Sequence, residues 1–375
     1  MRLVDLPTPQ VLVDRKRLLD NIGRVQTLAD AAGARLRPHA KTHKSPVVAR
    51  WQLDRGAVGV CCAKLGEAEV FAHAGIRDIR LPYPINPSNA GRVVALMDRA
   101  SISIIVDHLG VARGWSEAMS RAGLALDVLI KVDVGFHRCG IDPDAADAVD
   151  FIRAVSSLSG LRLRGLLSHA GHGYQAASDD ELCEVARREA EMLSGLRDRA
   201  TRAGIPIDEL SVGATPTLRH TASMARQYGL TELRPGNYVY FDRAQLALGA
   251  ATIEDCALTV LATVVSKPAA DRVILDCGSK TLSSDQARGF TPTPGYGAVL
   301  TGNGSAIDEN LTIERLSEEH ATVRARGVTT LEPGDRVRVL PNHSCVVSNL
   351  VDAVQLVEGD RVIETLPVAA RGKIA

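Results

Sequence analysis

Arg37-Pro-His-Ala-Lys41-Thr-His43-Lys44 places five basic or imidazole side chains in eight residues, directly after a short apolar run that reads as a strand. A lysine amine at a strand end, partly desolvated and crowded by cations, loses proton affinity and becomes available for imine formation. Spacing alone does not choose between Lys41 and Lys44, and a basic surface loop is the plain alternative. A second cluster, Lys131-Val-Asp-Val-Gly135-Phe-His137-Arg138-Cys-Gly140, lies at another strand end. Its glycines permit a tight turn, and Arg138 is able to pair with an anion or a phenolate oxygen. A third, Ser168-His169-Ala-Gly171-His172-Gly173-Tyr174, offers His169, His172 and Tyr174 as acid–base groups on closely approaching backbone. Each of these also reads, taken alone, as a turn with solvated charges or a capping histidine.

Two further segments suit a phosphate. Val212-Gly213-Ala-Thr215-Pro-Thr217 and Arg234-Pro-Gly236-Asn237-Tyr238 offer backbone amides and hydroxyls after strands. Neither is a P-loop, because the Gly-Lys-Ser/Thr ending is absent. In Leu340-Pro-Asn342-His343-Ser-Cys345, a continuing strand would turn residues two apart to one side, so imidazole and thiol would converge on one divalent ion. Two ligands are fewer than the three usual in catalytic zinc sites. The adjacent pair Cys61-Cys62 reads as core filling.

The elements that position these groups follow a regular beat. Strand-like runs at 11–14, 34–39, 59–62, 79–82, 102–106, 127–134, 163–168 and 209–212 are each followed by an amphipathic or irregular stretch, the first being a helix over 15–32 closed by Gly33. About eight such units predict a (β/α)8 TIM-type barrel, whose chemistry gathers at the C-terminal strand ends; an open doubly wound sheet is the alternative. From about Phe241 the pattern becomes strands punctuated by Gly, Pro and Asp, which predicts a mostly β second domain. The expected division is 1–242 and 243–375, with the first few residues as candidates to join the β domain. The segment 289–310 is expected to be a loop.

Composition narrows the partners. The 375 residues carry 44 Lys+Arg against 44 Asp+Glu and 3% aromatics, which speaks against nucleic-acid binding. No apolar run approaches the ~20 residues that span a bilayer, and no export signal is visible at the N-terminus. Seven cysteines fit free thiols in a reducing compartment, so a cytoplasmic protein is expected.

Taken in order, Arg37 to Lys44, Gly59-Val-Cys-Cys-Ala-Lys-Leu-Gly-Glu67, Val132-Asp-Val-Gly135, Val212 to Thr217 and Pro341 to Cys345 resemble the D-threonine aldolase / D-serine dehydratase family of fold-type III enzymes. The likeness spans nearly the whole chain. It implies an alanine-racemase-like barrel, a C-terminal β domain, pyridoxal 5'-phosphate, one divalent metal and a homodimer. Residue by residue, it implies that Lys41 is the Schiff-base lysine and that Arg138 lies near the cofactor's phenolic oxygen. Thr215, Gly236 and Asn237 fall in the phosphate cup, Tyr174 lies near the ring, and His343 and Cys345 are the metal ligands. Glu319-His320 matches a family pair with no role assigned here. The His-x-Cys pair and His169 to Tyr174 resemble the dehydratase branch; Cys61 to Glu67 resembles the aldolase branch, although Gln175 falls near the place of the aldolases' histidine base. The implied substrate is a D-3-hydroxy amino acid of the serine, threonine or 3-hydroxyaspartate type. The favoured outcome is β-elimination to a 2-oxo acid and ammonia. Retro-aldol cleavage to glycine and an aldehyde is the alternative, and an amino-acid racemase a more distant one. A thiolate ligand favours zinc, with manganese and magnesium as alternatives.

Overall fold

The computed structural model describes residues 1–286, 288–290, 294–302 and 304–375. Eight parallel strands form the barrel: β2 (Arg35–Leu36), β3 (Val60–Cys61), β4 (Asp78–Pro84), β5 (Ser101–Val106), β6 (Leu126–Lys131), β7 (Leu161–Leu167), β8 (Glu209–Val212) and β9 (Glu232–Leu233). The ladder runs β2-β9-β8-β7-β6-β5-β4-β3. It closes beyond β2, where the Ala40 amide donates to the Cys61 carbonyl and the Cys61 amide to the Pro38 carbonyl, both at 2.8 Å. The barrel expectation holds, but its strand count was reached by a compensating error. The run at 11–14, β1 (Gln10–Asp14), pairs antiparallel with β10 (Leu258–Ala269) and parallel with β16 (Ala353–Glu358) in the other sheet. The eighth barrel strand is β9, only two residues long and so without readable alternation.

Helix 15–32 follows the expected boundaries for local reasons. The Asp14 carboxylate accepts from the Arg17 amide at 2.9 Å, and Gly33 closes the last turn at φ 71°. The second sheet runs β13 (Leu311–Leu316), β14 (Ala321–Ala325), β11 (Arg272–Leu275), β10, β1, β16, β17 (Arg361–Pro367), with β15 (Arg336–Leu340) pairing β10 and β12 (Ala298–Val299). Thus the expected loop 289–310 contains β12, while 291–293 and 303 of it lie outside the described residues. One apolar core, including Val13, Leu36, Val60 and Leu233 together with Val260, Val339 and Leu356, joins barrel and β domain. Cys62 belongs to that core and Cys61 is equally buried, as expected.

Within the barrel, near the starts of β8 and β9, lies a buried ionic network. Arg37 Nε donates to Glu232 Oε2 at 2.7 Å, its Nη1 donates to Asp78 at 2.6 Å, and Arg80 reaches both Glu209 and Glu232. Burial alone would raise the Glu232 carboxyl, but Arg37 and Arg80 hold it below its ordinary 4.5. A depressed folded-state value adds stability that is present above about pH 4.5 and is lost as the pH falls below it. Urea midpoints should therefore hold near neutrality and drop between about pH 4.5 and about pH 2. A flat profile across that window would remove the network from the account of stability.

Candidate active site

Where the C-terminal ends of the barrel strands meet the β domain, a cavity of about 250 Å3 opens. His39, Lys41, Arg138, His169, Tyr174, Thr215, Gly236, Asn237, His343 and Cys345 all line it, although they come from both ends of the chain. Of the residues singled out from sequence, His172 stands apart. It lines a neighbouring cleft with Asp133, Gly135 and Glu181. Glu319 and His320 lie in the exposed turn between β13 and β14, where Glu319 pairs with Lys280 at 2.8 Å.

Geometry separates Lys41 from Lys44. Lys44 is buried, donating to Asn349 Oδ1 at 2.7 Å and pairing with Glu67 at 3.1 Å. Lys41 points into the cavity, and its amine has no protein partner among the described residues. The cations of its own segment do not crowd it. Arg37 belongs to the barrel network, Lys44 is neutralised by Glu67, and His43 is fully buried against Phe71. The His39 imidazole instead accepts from the Lys41 backbone amide at 3.3 Å. Burial, reinforced by Lys41 and Arg234, holds His39 well below its ordinary value; burial and Lys41 do the same to His169. Both rings are neutral near pH 7. In His169 the Nδ1–H donates to the Gly213 carbonyl at 3.1 Å, which leaves Nε2 as an acceptor. Burial also raises the Tyr174 phenol, so it stays protonated while accepting from Gln245 Nε2 at 3.2 Å.

The ends of β8 and β9 form an anion cradle. Backbone amides of Ala214, Thr215 and Asn237 have no protein partner among the described residues, and all three residues line the cavity. The Gly236 amide donates to Thr215 Oγ1 at 3.3 Å, tying the two loops together. Gly213 sits at φ +125°, and a Cβ there would come within 3.2 Å of the Arg234 amide, so this turn requires glycine. Arg234, from the same segment, donates to Ser211 Oγ at 2.8 Å and to the Ser168 carbonyl; the turn residues alone did not single it out. Unpaired amides at a loop junction suit a phosphate group. The residues present therefore fit pyridoxal phosphate, with an amine opposite an anion cradle.

His343 and Cys345 do converge, but not on a strand. β15 ends at Leu340, where Pro341 cannot donate to the ladder, and Ser344–Leu350 is a helix with His343 as its N-cap residue. The Asp242 carboxylate accepts from the Ser344 amide at 2.9 Å and fixes this helix start, while Asn237 Nδ2 donates to Ser344 Oγ at 3.1 Å. Burial opposes the ionised pair, yet each partner favours the other's charge. Cys345, with Asp242 and Asp285, pushes the His343 imidazole up to about 10; His343 and Lys41 bring the Cys345 thiol below its ordinary value. Imidazole and thiol face one another in the cavity, and a divalent cation favours the deprotonated, ligating form of both, so this donor set fits a metal. Among the described residues no group of three His, Cys, Asp or Glu side chains is arranged around one ion, which leaves the other positions to water or substrate.

Asp285, which no sequence signal marked, accepts from His343 Nδ1 at 2.7 Å. That hydrogen bond selects the tautomer with Nε2 free to ligate. Asp285→Asn should weaken metal affinity by roughly 10- to 100-fold, measured by competition against a chelating dye. An unchanged affinity would show that Asp285 does not orient the ring.

Comparison with known proteins gives the family and the fold. Residues 13–244 match the family described as alanine racemase, N-terminal domain, and residues 257–357 match a putative serine dehydratase domain. D-threo-3-hydroxyaspartate dehydratase of Delftia sp. is 34% identical, covering 97% of both chains. D-threonine aldolase of Arthrobacter sp. is 32% identical, covering 99% of this chain and 94% of its own. The chain belongs to the D-threonine aldolase / D-serine dehydratase family. Members of this family are pyridoxal-phosphate-dependent lyases. The solved structure of the Delftia dehydratase superposes with a TM-score of 0.90 at 33% identity over 98% of each chain, and a variant of it in a metal-free form with 0.91. D-threonine aldolase of Filomicrobium marinum superposes with 0.87 at 29% identity, covering 100% of this chain and 98% of that one. Both reactions of the family are thus represented among near relatives. Among the described residues no helix is long and apolar enough to cross a membrane.

Proposed function

We propose that this family member is a D-3-hydroxy amino acid dehydratase. The observation that carries the reading is the Cys345 thiol, which lines one cavity with His343 and Lys41. Lys41 and the candidate metal pair therefore share one region of the cavity, where a proton at Cα and a hydroxyl at Cβ would be handled together. Pyridoxal phosphate on Lys41, with its phosphate on the Ala214, Thr215 and Asn237 amides, would supply an electron sink at Cα. A divalent ion on His343 and Cys345, zinc by the softness of the thiolate, would supply Lewis acidity at the β-hydroxyl.

The chain's own groups do the rest. The Lys41 amine takes the Cα proton. Tyr174, kept protonated by burial, holds a hydrogen bond in the cavity rather than accepting a proton. Arg138, stacked 5.1 Å from the Phe136 ring centroid and without a carboxylate partner among the described residues, is available to the phenolic oxygen or the substrate's carboxylate. Departure of water and hydrolysis would yield a 2-oxo acid and ammonia. One observation favours the retro-aldol alternative: His169 Nε2 is a neutral acceptor lining the cavity and would be able to take the hydroxyl proton. The homodimer and the cytoplasmic location rest on the family resemblance and the cysteine usage.

Incubating cofactor-loaded protein with D-threonine and zinc or manganese separates the reactions, since both can start from this substrate. 2-Oxobutanoate and ammonia are expected. Glycine and acetaldehyde would overturn the dehydratase reading.

A further inference from the structure

One cationic side chain that lines the cavity has no role in the proposed reaction. The cavity's two acids are already engaged. Asp242 accepts from Asn237 Nδ2 and from the Ser344 and Gln245 amides, and Asp285 accepts from His343. Arg234 is anchored on Ser211 and the Ser168 carbonyl. Among the described residues, Lys41, Arg138 and Arg288 line the cavity without a hydrogen-bond or ion-pair partner for the charged group. The proposed reaction assigns Lys41 to proton transfer and Arg138 to the first carboxylate or the phenolic oxygen. Arg288 is left over.

Its place in the cavity indicates what it would meet. Arg288 lines the cavity three residues after Asp285, which holds His343 Nδ1 at 2.7 Å. The segment that carries it thus borders the His343–Cys345 pair, where the Cβ substituent of a bound amino acid would lie. A planar guanidinium with free donors is matched to a carboxylate, which it can grip with two parallel hydrogen bonds. We propose that Arg288 receives a second carboxylate carried on the substrate's Cβ, so that D-3-hydroxy amino dicarboxylates are favoured over D-serine and D-threonine. This inference rests on the lyase reading for its substrate class, but the carboxylate site is testable without turnover.

D-aspartate and D-alanine lack the hydroxyl that leaves, so calorimetric titration of the cofactor-loaded protein with each reads affinity apart from β-chemistry. D-aspartate is expected to bind about 10- to 100-fold more tightly, a charge-assisted pair's share. Arg288→Ala should erase most of that difference and Arg288→Lys should keep part of it. In turnover, the kcat/KM ratio of D-threo-3-hydroxyaspartate to D-threonine should fall by the same factor in Arg288→Ala, mainly through KM. A melting temperature within error of the parent's would exclude general damage. Equal affinities for D-aspartate and D-alanine, or a preference untouched in Arg288→Ala, would overturn the proposal. Failure of both hydroxy acids to react would instead overturn the lyase reading, and the calorimetric comparison would still decide the carboxylate site.

Discussion

Lys41→Ala should lose roughly 10^4-fold in turnover, the upper end of what a positioned proton-transfer group contributes, with the melting temperature unchanged. Among the described residues the Lys41 amine has no protein partner to leave stranded, so its removal takes away chemistry and not packing. Covalent attachment should go with it: the cofactor's visible absorbance would shift, and dialysis would strip the cofactor far faster. Lys44→Ala provides the contrast. Glu67 and Lys44 are both nearly buried, and truncating one member of such a pair leaves a buried charge uncompensated, at about 3–5 kcal/mol. Its signature would be a lowered denaturation midpoint. If Lys44→Ala kept its stability and lost cofactor attachment, the assignment of the two lysines would be reversed.

His343→Ala should lower turnover by about 10^3-fold, comparable with removing one electrophilic group from a preorganised site. Cofactor absorbance should persist, because the His343 imidazole bonds Asp285 and Cys345 and holds neither Lys41 nor the cradle amides. Bound metal, measured by atomic emission after gel filtration, should disappear. Unchanged turnover would remove the metal from the mechanism. Loss of metal with full turnover would make the ion structural.

Much of this site was legible in the chain. Lys41, His169 and Thr215 follow strands of the expected beat, and a parallel barrel brings every C-terminal strand end to one face, so their convergence follows from that beat; Gly236 and Asn237 follow β9, which the beat did not show. His343 and Cys345 were found as a pair because only two positions separate them. Local backbone did not matter to that conclusion: an N-cap residue and the first helical turn brought them together as well as a strand would have. The strand count was less secure. Val11 to Asp14 is apolar and alternating whichever sheet it joins, and Glu232–Leu233 is too short to announce itself.

Sequence by itself determined the types of chemistry available, the barrel with its β domain, and the family. Tertiary structure decided which group does what. Among the described residues the amine of Lys41 is free and that of Lys44 is not, because Glu67 arrives from a different strand-helix unit. Asp285 orients His343, and Arg288 enters the cavity beside them, across 58 positions of sequence from that histidine in the case of Asp285. His172, three positions from His169, drops into another cleft because the short helical turn at Gly171–Gln175 rotates it away. Charge and burial are properties of the assembled surroundings, and residues distant in the chain supply most of them.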